Sequence, residues 1–434
     1  MADRLRQELG VFSAMMLGLG SIVGTGVFVS IAIAANVTGP SVVLAIAIAA
    51  FVATCNGLSS AQLAAAHSVS GGTYEYGYRF LTPWLGFTAG WMFMLAKSAS
   101  AATAALGFGG YLLPMLGIDA SWSVAVALAG TVGLTVLVLS GLRRSNVTNI
   151  VIVSITLLAL AAFVLAGIPR AVEAGATHLS PFFLGDTTGG TIANLLQASA
   201  MMFVAYTGYG RIATMGEEAR EPKRTIPRAI ILTLVVTMTL YVAVGIVLVA
   251  AVKPEFYAST DTIKFPLEMA ARQFGIPGVA YLVAVGAITA MLGVLLNLIL
   301  GLSRVLLAMG RRRDVPGIFG KLNDAGTTPV AATIAVGVII GGLALVGDVK
   351  TTWQFSAFTV LIYYSLTNLA ALRLPPEARL FPRAFAWMGL AGCFFLAWWV
   401  RWEIWAVGVG LIALGLIWHV MAVKLRGEAR PSND

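Results

Sequence analysis

Twelve apolar stretches, divided by short polar breaks, account for most of the chain. Their approximate limits are 11–35, 41–65, 84–116, 122–141, 146–167, 191–217, 228–251, 278–309, 329–346, 353–372, 384–399 and 404–423. A helix crosses a bilayer in ~20 predominantly apolar residues, with considerable spread. Helices are required, because an open strand would leave backbone groups unpaired in hydrocarbon. The breaks are Gly, Pro and charge clusters such as Thr82-Pro83, Gly117-Ile118-Asp119 and Arg311-Arg312-Arg313-Asp314. Composition excludes the alternatives: 59% of the 434 residues are hydrophobic and 11% charged, against ~45–50% and ~25% in soluble domains. Too few polar residues remain to coat a water-soluble enzyme, a disordered chain or a nucleic-acid-binding domain.

The net charge of +9 fits a membrane topology and needs no nucleic acid. With both termini in the cytoplasm, 20 of the 28 Lys and Arg fall in inside segments, among them Arg4, Arg6, Arg143, Arg144, Arg211, Arg220, Lys223, Arg311, Arg312, Arg313 and Arg430. Six fall outside (Arg170, Lys253, Lys264, Arg272, Lys350 and Arg401), and Lys97 and Arg304 lie within spans. This is the positive-inside asymmetry. The expected setting is therefore the cell membrane, as in a bacterial inner membrane. Met1–Gly10 is short and polar, and the apolar run after it outlasts a signal-peptide core, so the first segment is expected to be retained. Cys55 and Cys393 read as small buried hydrophobes. His67, His178 and His419 are too scattered for a metal site, and no Gly-x4-Gly-Lys-Ser/Thr loop is present to power ATP-driven pumping. No cofactor is expected.

Two spans carry backbone-permissive sequence near their middle. In the first, Gly18, Gly20, Gly24 and Gly26 fall within nine positions; in the sixth, Gly208 and Gly210 flank Tyr209. Mid-helix glycine costs up to ~1 kcal/mol relative to alanine. Such runs let a helix unwind, freeing N–H groups at one half-helix start and carbonyls at the other half-helix end. Close helix packing through small residues is the competing reading. Position separates the two. The breaks lie five spans apart, where two inverted five-helix repeats put their discontinuous helices at mid-membrane. An amino-acid zwitterion fits such a gap, with its carboxylate on N–H groups and its ammonium on carbonyls.

The segment Gly20-Ser-Ile-Val-Gly-Thr-Gly-Val-Phe28 resembles the first-helix signature of the amino acid–polyamine–organocation transporters. The resemblance continues at Ser70-Gly71-Gly72-Thr73-Tyr74, at Phe203-Val-Ala-Tyr-Thr-Gly-Tyr209 with Glu217-Glu218 and Pro222–Pro227, and at Gly301–Met309 with Arg311. Within that family the likeness is to bacterial amino-acid permeases related to cationic amino acid transporters. It implies an all-α membrane protein of the LeuT type with alternating access. Residues 11–167 would form one five-helix repeat and 191–372 the inverted second, with helices 1 and 6 discontinuous. Residues 384–423 would add two helices, between cytoplasmic ends 1–10 and 424–434. It further implies that Thr25 and Gly26 give backbone N–H groups to the substrate carboxylate. The carbonyls of Ile22, Val204 and Thr207 would receive the ammonium. Tyr206 and Tyr209 are candidates for lining or gating, with packing as the plain alternative for each.

Lys97 sits mid-span in helix three, where a charge costs ~2.5–3.5 kcal/mol on insertion scales. Buried lysine is drawn toward its neutral form, a plausible proton carrier. Some relatives in the family carry a helix-five lysine in place of sodium. Here that position falls at about Thr156, and the helix-eight hydroxyl pair of sodium-coupled members is replaced by Leu292-Gly293, near Thr289. Lys97 is therefore expected to take over coupling or to bind substrate, with protons favoured and sodium disfavoured. Glu217, Glu218 and Arg304 are candidates for an intracellular gate or a solvated rim. Asn297 is expected to bond between helices. With no Asp or Glu in the central parts of spans one, three, eight and ten, cationic substrates are disfavoured. Neutral amino acids are the first choice and acidic ones the second. Readings from other classes are a transport-dead sensor and an intramembrane enzyme, though the spans lack the grouped carboxylates or His/Cys that an enzyme would use.

Overall fold

The computed structural model describes residues 5–185, 187–253, 256, 266–346, 349–400 and 402–428, and their side chains except 349–355, 357 and 425–428. The tail beyond Glu428 and the charges Arg4, Lys264, Arg401 and Arg430 lie outside the described residues. Helix dominates throughout. In chain order the helices are α1 (Val11–Ile22), α2 (Ile31–Thr38), α3 (Val42–Ala66), α4 (Thr73–Phe80), α5 (Pro83–Met115), α6 (Ser123–Leu139), α7 (Leu142–Ala174) and α8 (Thr188–Tyr206). Then come α9 (Gly210–Ala213), α10 (Pro222–Ala251), α11 (Pro266–Arg272), α12 (Val279–Arg311), α13 (Val330–Val346), α14 (Val349–Leu372), α15 (Arg383–Trp398) and α16 (Trp402–Glu428). Among the described residues there is no strand, only two isolated bridges, Leu9 with Ala219 and Ser70 with Met215.

All twelve expected stretches fall on helical structure, although the sixth ends early, at Ala213. Taken by length and apolarity, six helical runs among the described residues could cross a membrane, the first being Val11–Ala66, which contains α1 to α3. Three shorter apolar helices join them. Proline and glycine set several ends. Pro83 and Pro222 occupy first helical positions, where the missing N–H costs no bond. Gly175 closes α7 at φ 58°, a conformation that suits a residue without Cβ.

The bundle has a centre and a periphery. Helix α12 lies inside, packed against α5 and α7, while α5 also packs on α14. Helices α6, α7 and α13 turn Val132, Leu158, Leu165 and Val338 outward. A water-soluble protein does not expose so large an apolar belt. In lipid the same belt is the required surface.

Candidate substrate-binding site

Helix α1 stops at Ile22. Val23 turns away at ψ 92° while its N–H still reaches Leu19 O at 2.8 Å. The chain resumes through Gly24, whose carbonyl accepts from Val27 and Phe28 N–H at 3.2 and 3.1 Å. A wide π-helical turn, Gly26–Ser30, leads into α2. Thr25 and Gly26 thus present their N–H groups at the start of a resumed helix, where first donors lack an intrahelical acceptor and the dipole is positive.

The second break is shorter. Helix α8 ends at Tyr206, Thr207–Tyr209 make a single 3-10 turn, and α9 begins at Gly210. The Val204 carbonyl is capped by the Thr207 N–H and by Thr207 Oγ1 at 2.8 Å. The two breaks touch. A Cβ on Gly208 would come within 2.5 Å of Ser21 O, and one on Gly26 within 2.6 Å of Ala205 Cβ. The Tyr241 hydroxyl of α10 spans the junction, 2.8 Å from Ile22 O and 3.3 Å from Ala205 O. Gly20 and Gly24 do not reach across to α8. Gly20 lies in the last turn of α1 beside Asn149 and Asn297, and Gly24 faces Val294. Gly210 sits under the Tyr364 hydroxyl. At these three positions, close packing and unwinding coexist.

Lys97 of α5 reaches the same place. It is 5% exposed, and its Nζ donates to Thr207 Oγ1 at 2.9 Å and toward Thr207 O at 3.4 Å. Thr207 O also accepts from Tyr364 Oη at 2.8 Å. No carboxylate among the described residues forms an ion pair with Lys97. The rings of Tyr206 and Tyr209 are wholly buried, against Tyr241 and Tyr364 respectively. Two further contacts link α7 and α12. Thr156 and Thr289 share a hydroxyl hydrogen bond of 3.0 Å, and Asn297 donates to Asn149 as the expected interhelical bond.

At the end of the bundle that carries Leu5–Gly10, cations meet carboxylates. Arg304 grips Glu218 through Nη2 at 2.7 Å and Nε at 3.2 Å, both side chains 1% exposed. Glu217 pairs instead with Arg311, at 2.7 Å, and accepts the Leu5 N–H. Arg312 bonds Glu75 and lies over the Tyr78 ring. The backbone N–H groups of Glu8 and Leu9 both bond Glu218 O, pinning the N-terminal segment over this layer. Gly71 and Gly72, at φ 120° and 58°, bend the chain so that Gly71 N–H reaches Thr214 O.

Arg211 departs from expectation. Its place in the sequence reads as an inside, solvent-facing charge, yet α9 turns inward and buries it to 2% exposure. Tyr241 and Tyr364 were also unmarked in the sequence. Each is an ordinary aromatic within a helix until the fold brings it to a broken one.

A family model for amino acid permeases matches residues 13–429. An uncharacterized transporter of Mycobacterium tuberculosis is 38% identical over 432 residues, covering 100% of this chain and 95% of the relative. A branched-chain amino acid permease of Bacillus subtilis is 26% identical, covering 89% and 84%. Cationic amino acid transporter 4 of Homo sapiens is 29% identical, covering 87% and 62%. With its broken helices and lipid-facing belt, the chain belongs to the amino acid permease family: a multi-pass membrane transporter, not an enzyme.

Proposed function

We propose that this protein is a secondary active transporter that carries a neutral amino acid by alternating access between twelve membrane-spanning helices. The single observation that carries the reading is the meeting of the two helix breaks, Gly208 against Ser21 and Gly26 against Ala205. One break offers the N–H groups of Thr25 and Gly26 to a carboxylate. Ile22 O at the first break and Thr207 O at the second are offered to an ammonium; they accept from the side chains of Tyr241 and of Tyr364 and Lys97, respectively. Val204 O, by contrast, is capped by the backbone and hydroxyl of Thr207.

The packing supports two inverted repeats, residues 11–167 and 191–372. Helices α3, α5 and α6 pack on α10, α12 and α13, their counterparts five spans later. The cross-contacts also pair up under that exchange: α5 with α14 matches α12 with α7, and α3 with α8 matches α10 with α1. Five crossings per repeat make the second repeat inverted in the membrane. The basic end then faces the cytoplasm, and Arg304–Glu218 with Arg311–Glu217 close the inner path.

Lys97 couples transport to protons. Its ammonium and that of the substrate compete for Thr207 O, so binding is linked to the movement or loss of a charge there. The helix-five position is a threonine, Thr156, whose hydroxyl bonds Thr289, so no lysine stands there and Lys97 supplies the side-chain ammonium beside the breaks instead. Proteoliposomes preloaded with unlabelled amino acids test the reading. Counterflow of a labelled neutral amino acid is expected. Binding without flux would assign a sensor, and neither binding nor flux would overturn the reading.

A further inference from the structure

Transport as proposed leaves the buried charge of Arg211 unused. Arg211 Nε donates to Asn297 O at 2.8 Å and Nη1 to Thr214 Oγ1 at 3.1 Å, but Nη2 meets no acceptor. Both acceptors are neutral. A guanidinium stays protonated in proteins, and a buried charge without a counter-charge is strongly destabilising. The charged groups facing it are Arg304 and Glu218. That carboxylate is held in a two-pronged grip by Arg304, so one anion serves two guanidiniums. The fold also makes room for this side chain. On α12 a Cβ at Gly301 would lie 2.7 Å from Arg211 Cδ, so the stem rests in a notch that only glycine leaves open. Arg211 stands four residues beyond Thr207, and Glu218 lies seven residues further on.

We infer that Arg211 is an anion-binding position between the helix breaks and the Arg304–Glu218 pair, where Nη2 takes a carboxylate or a chloride. For a carboxylate, the inference rests on the transport reading but changes its substrate from a neutral to an acidic amino acid, whose side chain a zwitterion site alone would not distinguish from its amide. For chloride it stands without that reading. Either anion would make the charge-assisted hydrogen bond that the protein itself does not supply.

Thermal unfolding of the purified full-length protein tests it. One arm exchanges chloride for methanesulfonate at constant ionic strength, without amino acid. The other compares glutamate and aspartate with glutamine and asparagine in chloride-free buffer. Stabilisation grows with ligand concentration over dissociation constant. A rise with chloride assigns the halide, and a larger rise with the acids than with their amides assigns the carboxylate. In Arg211→Gln that increment should vanish, and in Arg211→Lys it should need at least about fivefold more anion, since lysine lacks the planar fork. A wild-type protein blind to both anions overturns the inference. So does an unchanged increment in Arg211→Gln, or in Arg211→Lys if the former does not fold. Failure of every amino acid to stabilise the wild type would instead strike the transport reading, leaving the chloride arm to stand by itself.

Discussion

Two layers of the molecule handle buried charge in opposite ways. At the N-terminal end, Arg304, Arg311 and Arg312 each meet a carboxylate, and the segment Leu5–Leu9 is bonded across them. At the helix breaks, Lys97 and Arg211 are buried like Arg304 but hydrogen-bond only to neutral oxygens. A paired layer is complete without a ligand and resists opening. A layer whose cations meet no carboxylate is, on the proposed reading, completed by what binds there. The contrast separates a lock from a receptor, on the reading that the first layer is the inner gate and the second the substrate site.

The largest break in that comparison comes from the lock. Glu218→Gln would leave Arg304 buried without its counter-charge, at a cost of about 3–5 kcal/mol. A large drop in unfolding temperature of the purified protein is expected. The double variant Glu218→Leu with Arg304→Met should recover part of it, because Arg304 is no longer an orphaned charge and only Arg211 loses the carboxylate it faces. Gly208→Ala comes next. The added methyl meets the Ser21 backbone, which cannot swing aside like a side chain, and overpacking of this kind costs about 1–3 kcal/mol. Where that strain displaces the break from the geometry the substrate needs, the same 1–3 kcal/mol at about 1.4 kcal/mol per decade lowers amino-acid affinity about fivefold to a hundredfold in a titration.

Lys97→Met tests the receptor more gently. It keeps most of the stem, one atom short, and removes the charge, so binding should survive while uptake into vesicles stops responding to an imposed pH gradient. Retained gradient dependence would exclude Lys97 from coupling. Smallest is Arg311→Gln. Its pair with Glu217 is 27% exposed on the arginine side, and such pairs contribute about 0–1 kcal/mol. Unfolding temperature should barely move, which sharpens the contrast with Glu218.

The sequence displays the elements of this account better than their partners. Apolar stretch length predicts where helices run, because hydrocarbon thickness leaves little choice. Glycine clusters predict both breaks, because few other residues make unwinding so cheap. Lys97 stands out because a charge in mid-span is rare. Arg211 does not, since after a break it reads like any loop arginine, and only the Gly301 notch on a helix ninety residues away draws it inside. Tyr241 and Tyr364 are similar. Their hydroxyls matter through carbonyls freed elsewhere in the chain, and no local pattern records such a pairing. Gly20 and Gly24 show the limit of composition: the same residues pack tightly on α7 and α12 beside the place where α1 unwinds.

The central claim is that the two breaks together form an amino-acid site. Equilibrium binding of the twenty amino acids, measured in parallel on the wild type and on Gly208→Ala, tests it most directly. The account predicts saturable binding of at least one amino acid to the wild type, with affinity lowered about fivefold or more by the single methyl. An amino acid that binds both proteins equally well would place the site elsewhere and contradict the account.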